Sequence, residues 1–281
     1  MSVKILVDSA SDVDLDEANQ FGIELIPMKI TFEDGEYSDG VDLSHRKFFE
    51  KLIESASLPR TSLINSFRFE EAFRALTADG SQVIAITLSS KLSGTYKSAV
   101  KAAEAFGGKV YVVDSLNASA GERLLCLYAV RLKNEGMNAE EIVRELERAK
   151  HKINVLAVLD TLLYLKKGGR ISAFTAFAGT VLSVKPVIGV LGGEVKVIGK
   201  AIGSKKSNNL LNKLVQEKGV DFAMPHCVIW SGLDDSLMKK YVEDSVALWK
   251  DSVNELPSYM IGSTIGTHVG PGAVGVAFFE K

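Results

Sequence analysis

VIAITLSSKLSGTYKSAVKAA, Val83 to Ala103, decides the fold. It opens as a short strand, VIAITL (Val83–Leu88), led by the apolar run VIAI. It then breaks into a polar loop and restarts as a helix near Thr95, with alanines at helical spacing. Six of the seventeen residues from Thr87 to Ala103 are Ser or Thr, and Gly94 sits at the helix start. A buried strand that feeds directly into a helix is half of a β-α-β unit, and its continuous apolar run marks a parallel strand covered on both faces.

The same grammar extends outward. VKILVD (Val3–Asp8) and KVYVVDS (Lys109–Ser115) read as further strands. Helices are expected at Asp14–Gly22, Leu43–Ala56, Phe67–Ala78, Ala118–Glu135 and Asn138–Lys150. IELIPMKITF reads as one extended run, and DGEYSDG (Asp34–Gly40) and LPRTSLINS (Leu58–Ser66) as loops. After about residue 150 the pattern changes. VLAVLD is a strand and TLLYLKKGGR a short helix ending at Gly168-Gly169. PVIGVLGGEVKVIGK (Pro186–Lys200) is a hairpin turning at Gly192-Gly193. Helices are expected at Ser204–Lys218 and Asp234–Lys250, with a strand at HCVIWS. SYMIGSTIGTHVGPGAVGVAFFEK then reads as β-rich around a glycine-dense loop. The expected architecture is two-lobed α/β: a parallel wound sheet in residues 1–150, and a mixed α/β lobe in residues 151–281.

Composition excludes several classes. The chain has 281 residues, 46% of them hydrophobic, enough for a sizeable core. Lys+Arg 33 against Asp+Glu 35 leaves a formal charge of −2, which gives no basic field for a nucleic acid backbone. Cys126 and Cys227 have neither zinc nor disulfide-framework spacing and read as small buried hydrophobes. His45, His151 and His226 lie in unrelated settings, so a metal site is not expected. The N-terminus lacks a cleavable signal pattern, and no run approaches the roughly 18 apolar residues of a membrane span. A cytoplasmic protein is the expectation.

In a wound sheet, ligands lie beyond the carboxyl ends of the strands. There the sequence collects hydroxyls: Asp8-Ser9-Ala10-Ser11-Asp12 after the first strand, SSKLSG after Leu88, and Asp114-Ser115. Pro59-Arg60-Thr61-Ser62 adds another pair. A helix start leaves backbone N–H groups unpaired and favours an anion, with Ser93, Gly94 and Thr95 at hand. The simpler role for Ser93 is to cap the helix. His268 can donate to a carboxylate or tie its own loop. Arg170 can brace the site or bind helix carbonyls. No G-x-S-x-G elbow accompanies Ser93, although a dispersed triad of Ser93 and His268 with Asp8 or Asp114 stays open.

In their order, VDSASD, PRTS, LSSKLSGTYKSA, VYVVDS, YLKKGGRIS and TIGTHVGPGAVGV resemble the DegV family over nearly the whole chain. That family comprises fatty-acid-binding proteins acting as carrier subunits of bacterial fatty acid kinase. The resemblance implies that hydroxyls matching Thr61 and Ser93, with backbone N–H groups around Ser62 and Gly94, hold a fatty acid carboxylate. It implies that His268 stands near that carboxylate and that Thr95 and Arg170 support the network. It further implies that the carrier is not itself the kinase, and that a separate ATP-dependent subunit makes the acyl phosphate. The expected ligand is a long-chain fatty acid, with no other cofactor. Candidate tunnel walls are Phe174, Phe177, Val181, Leu182, Val184, Val187, Ile188 and Val190. One departure stands out: Ile202 occupies the place where the family's pattern has arginine before its Lys-Lys pair, which puts kinase partnership in question. The alternatives are a Ser93/His268 hydrolase or acyl-transfer enzyme, and a carrier of another small anion.

Overall fold

The computed structural model describes residues 2–171, 184–250 and 252–281. Of the expected tunnel walls, Phe174, Phe177, Val181 and Leu182 lie outside them. The first half supplies β1 (Val3–Asp8), α1 (Leu15–Phe21), β2 (Ile23–Ile26), β3 (Lys29–Phe32), β4 (Gly35–Ser38), α2 (His45–Glu54), β5 (Arg60–Ser62), α3 (Ser66–Thr77), β6 (Gln82–Thr87), α4 (Thr95–Ala103), β7 (Val110–Asp114), α5 (Ala120–Asn134) and α6 (Ala139–Ala149). The second supplies β8 (Ile153–Val158), α7 (Leu163–Lys167), β9 (Val184–Leu191), β10 (Glu194–Ile202), α8 (Ser204–Lys218), β11 (His226–Trp230), α9 (Ser236–Asp244), α10 (Val246–Trp249), β12 (Ser258–Met260), α11 (Ser263–Val269) and β13 (Val274–Phe279).

The fold is mixed α/β. β2-β1-β6-β7 form a parallel sheet. Its order reverses between β1 and β6, the place where a wound sheet opens a crevice. β10-β9-β8-β13-β11-β12 form a second, mixed sheet in which only β11 and β12 run parallel. Gly192 and Gly193 make the two-residue turn of the β9–β10 hairpin with φ of 60° and 88°, angles that a primed turn requires. α5 packs on strands of both sheets. One apolar cluster accordingly runs from Ile5 and Ile86 through Leu124 and Leu125 to Val155, Ile229 and Phe279.

Three expectations are corrected. IELIPMKITF is two strands in two sheets: β2 pairs with β1, whereas β3 turns away after Pro27 and pairs with β4 and β5. Residues expected as loops at 34–40 and 58–66 contain β4 and β5, so that β4-β3-β5 form a third, small antiparallel sheet. His268 does not sit in a glycine loop. It is in the last turn of α11, which packs against α2, α7, β3 and β5.

Candidate functional site

A cavity of about 250 Å3 opens where the rim of the parallel sheet faces the second sheet. Strand alternation explains its walls. Val155 and Ala157 of β8, and Leu159 just beyond it, present one side at two-residue spacing, and Ile188 and Val190 of β9 do the same. Val195, Ile229, Ile261, Leu165 and Ala273 complete that wall; Met28, Leu63, Leu88, Leu92, Ala118 and Ile265 face it. Of the expected wall residues within the described chain, Ile188 and Val190 line the cavity. Val187 points to the opposite face, into the cluster with Leu211 and Val215, and Val184 is not part of the lining.

The polar lining residues are Thr61, Ser93, Ser119, Arg170, Thr264 and His268. Four of them are linked at one end. Thr61 Oγ1 lies 3.0 Å from His268 Nε2. The Arg170 guanidinium donates from Nε to Leu92 O at 3.3 Å and from a terminal nitrogen to Gly168 O at 2.6 Å. It thereby joins the loop that carries Ser93 to the loop beside His268. Ser93 Oγ is 3.0 Å from Thr95 Oγ1 and accepts from Thr95 N at 3.2 Å; the capping role expected of Ser93 is not met, because Gly94 occupies the N-cap and no side chain caps α4. Buried Thr95 in turn accepts from Ile64 N at 3.4 Å, fastening α4 to the segment after β5. Gly94 lines the cavity, and a Cβ there would come 3.0 Å from the Leu63 side chain. Ser62 stands apart: alternation along β5 turns its side chain outward, where it is exposed and outside the lining.

His268 is held neutral. Burial, and then the charge of Arg170, lower its pKa from 6.5 to about 4. Its Nδ1 is buried without a hydrogen-bond partner. The Gly168 backbone is packed so tightly on the ring that a Cβ there would lie 2.3 Å from Nδ1. Gly270, just after α11, plays the same part: with φ of 71°, its missing side chain leaves room for the Tyr164 ring. The sequence reading missed Gly168, Gly270, Met28, Ser119 and Thr264. Glycine pairs signal turns, but which glycine admits a remote side chain has no local mark.

The aspartates near the rim are already engaged. Asp8 ties the loops after β1 and β6 together by accepting from Ala10 N and Leu88 N, each at 2.9 Å. Asp114 does the same for Ser90 N and Leu116 N. Asp12 accepts from Gly262 N at 2.8 Å and from the Ser119 hydroxyl. Asp39 accepts from Ser263 N, Thr264 N and the Thr264 hydroxyl. Burial raises the pKa of Asp8 and Asp12 to about 7. Buried Glu122, with no hydrogen-bond partner for either oxygen, is pushed well above the usual carboxylate range by burial and by these neighbouring acids. Asp12, Leu116 and Ser119 adopt positive φ along this rim, a cost that cooperative bonding of the loops offsets.

This geometry does not build a triad from Ser93 and His268. His268 bonds Thr61, Ser93 bonds Thr95, and the acids at Asp8 and Asp114 bind backbone N–H groups. Among the described residues no group of His, Cys, Asp and Glu could hold a metal ion, and no helix is long and apolar enough to cross a membrane. Cys126 and Cys227 are buried free thiols.

The DegV family matches residues 2–281. A DegV domain-containing protein of Caldanaerobacter subterraneus subsp. tengcongensis is 35% identical over 283 residues, 99% of each chain. A fatty acid-binding protein of Thermotoga maritima is 34% identical, over 98% of this chain and 96% of its own. The solved structure of a fatty-acid-binding DegV family protein from Thermus thermophilus superposes with a TM-score of 0.89 at 30% identity, covering 100% of both chains. This chain belongs to the DegV family.

Proposed function

We propose that this protein binds a long-chain fatty acid, its acyl chain in the cavity between the two sheets and its carboxylate at the end where Thr61, Ser93, Gly94, Arg170 and His268 meet. One observation carries the reading: a largely aliphatic cavity brings Thr61, paired with His268, and Ser93, paired with Thr95, to one end, partly exposed and beside a neutral imidazole. Each buried methylene contributes roughly 0.8 kcal/mol, so a sixteen-carbon chain contributes on the order of 10 kcal/mol before association costs. The carboxylate then requires donors, because a stranded charge would forfeit much of that gain. Hydroxyls and the N–H groups near Ser62 and Gly94 supply them. With Nε2 protonated, His268 donates to Thr61 and leaves Thr61's own proton for the ligand. Relatives whose names or titles state fatty acid binding support the assignment. Residues 1–150 supply the carboxylate-binding loops and residues 151–281 help enclose the acyl chain, with Arg170 and His268 reaching the carboxylate end from the second half.

The test is direct. Mass spectrometry of the purified, denatured protein is expected to release a long-chain fatty acid, and the stripped protein should take up palmitate on titration. A lipid-free chain with no palmitate affinity overturns the proposal.

We further propose a cytoplasmic carrier, not itself a catalyst, that presents the carboxylate to a separate ATP-dependent kinase. There a carboxylate oxygen attacks the γ-phosphorus, forming the acyl phosphate and releasing ADP. Ile202 ends β10 and is 58% exposed, an apolar side chain at the surface where the family resemblance leads one to expect arginine. Palmitate-loaded protein mixed with such a kinase and ATP should yield acyl hydroxamate on hydroxylamine trapping, and Ile202→Arg should raise the yield. No hydroxamate above the kinase alone, for either protein, removes the partnership.

A further inference from the structure

Two polar residues of the cavity lining take no part in the carboxylate end. Ser119 precedes α5, and Thr264 is in the first turn of α11. Both are buried. Thr264 and His268 are four residues apart on α11, as are Ile265 and Val269, and all four line the cavity. The cavity therefore follows one face of this helix, with Thr264 about 6 Å along the axis from His268. Ser119 belongs to the same stretch, because Asp12 accepts both from its hydroxyl and from Gly262 N, two residues before Thr264.

These two hydroxyls have a fixed polarity. Ser119 donates its proton to Asp12, and Thr264 donates its proton to Asp39 at 2.6 Å. A hydroxyl has one proton and two lone pairs, so each oxygen is left as an acceptor only. A carboxylate behind a hydroxyl polarises it into a stronger acceptor. Among the described residues no donor of the protein bonds to either oxygen. A plain alkyl chain passing them offers no proton. A chain bearing an O–H at that depth does.

We infer that the cavity prefers an acyl chain carrying a hydroxyl on its carboxyl-proximal half, received by Ser119 and Thr264, so that the ligand class narrows from fatty acid to hydroxy fatty acid. The inference rests on the fatty acid reading and deepens it.

Palmitates hydroxylated near the carboxyl, at mid-chain and near the methyl end are titrated into stripped protein beside palmitate itself, above pH 7, where Asp12 is ionised. The keto acid matching the best-bound hydroxyl position is the control for polarity. One carboxyl-proximal hydroxy acid should bind at least as tightly as palmitate. A hydroxyl placed against the aliphatic walls should weaken binding about tenfold or more. The matching keto acid sets an acceptor against acceptors, and should bind about tenfold more weakly than its hydroxy partner. Hydroxy acids that all bind more weakly than palmitate, or a keto acid that binds as well as its partner, overturn the inference.

Thr264→Val removes one acceptor and keeps both backbone bonds to Asp39. In Ser119→Ala/Thr264→Val the ratio of hydroxy acid to palmitate affinity should fall about tenfold, whereas Thr264→Ser should keep the wild-type ratio. A double variant with the wild-type ratio overturns the inference; if that variant does not fold, the wild-type series and its keto control decide alone. Failure of every acid to bind, palmitate included, refutes the fatty acid reading and this one together. Palmitate binding without any preference for hydroxyl position refutes this one only.

Discussion

Two polar regions lie side by side at the rim of the parallel sheet, and they are built on opposite terms. Around Asp8, Asp12, Asp39 and Asp114 the carboxylates face inward and each accepts from donors of the protein itself. Around Thr61, Ser93 and His268 the groups are partly exposed and joined by single bonds, and His268 Nδ1 is left without a partner. In the sequence both read as hydroxyl-bearing loops, the first set with acids among the hydroxyls and the second, LPRTSLINS and SSKLSG, with none. The difference is in saturation. A polar cluster that satisfies itself holds the fold, and one that stops short is available to a ligand.

Removing a saturated acid should have the largest effect. Asp39→Ala strands Ser263 N, Thr264 N and the Thr264 hydroxyl, all buried, and unties α11 from the turn after β4. A loss of about 3 kcal/mol or more in urea unfolding is expected. A loss under about 1 kcal/mol would show that water replaces Asp39 and that the region is not the closed network described here.

Next comes the unsaturated side. Thr61→Ala with Ser93→Ala should weaken palmitate binding by roughly ten- to a hundredfold while shifting stability by less than about 1 kcal/mol. Calorimetric titration and urea melts on the same preparations check both halves. A variant that keeps its affinity removes both hydroxyls from carboxylate binding. One that unfolds with Asp39→Ala severity erases the contrast between the regions.

The two regions should also titrate in opposite senses. His268 has its folded pKa lowered to about 4 from 6.5, so between these values the unfolded chain binds more protons. The stability it contributes is therefore present above pH 6.5 and is lost as pH falls toward 4. Asp8 and Asp12 are raised to about 7 from 3.8, so the folded state binds more protons in that window. Their contribution is greatest below pH 4 and is lost as pH rises through 7. Unfolding curves at pH 4, 5.5 and 7 for wild type, His268→Gln and Asp8→Asn separate these effects. The stability gap between wild type and His268→Gln should widen upward in pH, and that between wild type and Asp8→Asn should narrow. Gaps running in one direction would mean that the acids are not held proton-rich by burial.

The wound sheet was legible because β1 and β6 are almost wholly buried, which writes continuous apolar runs into the chain, and the edge strand β7 keeps the same apolar run while half-buried. The β9–β10 turn was legible because only glycine tolerates its angles without strain. α11 was not. STIGTHV carries a central glycine and β-branched residues, poor local helix formers. The donors at its start are met by Asp39, some 224 residues away, and Gly266 is required by the Phe48 and Phe49 rings. Tertiary contacts make that helix, and it is the helix that delivers His268. β4 and β5 were hidden because they are four and three residues long, and β5 pairs with β3 across the whole of α2. Thr61, Ser93 and His268 could be picked out from their motifs, but the pairing of Thr61 with His268 depends on both hidden elements.

The smallest expected effect tests that dependence at one-residue resolution. Thr61 and Ser62 are chemically alike and adjacent, and either hydroxyl would serve a carboxylate. β5 pairs with β3 in a register that sets Thr61 opposite Ile30 and Ser62 opposite Lys29. Neighbours on a strand face opposite ways, so only Thr61 reaches His268. Ser62→Ala removes an outward hydroxyl and keeps the backbone N–H, so palmitate affinity should stay within about twofold and stability within about 0.5 kcal/mol. An affinity loss matching that of Thr61→Ala would mean that β5 shifts register by one residue when ligand binds, since a one-residue slip exchanges the two faces of a strand. In that case the site is assembled by the ligand rather than prepared for it.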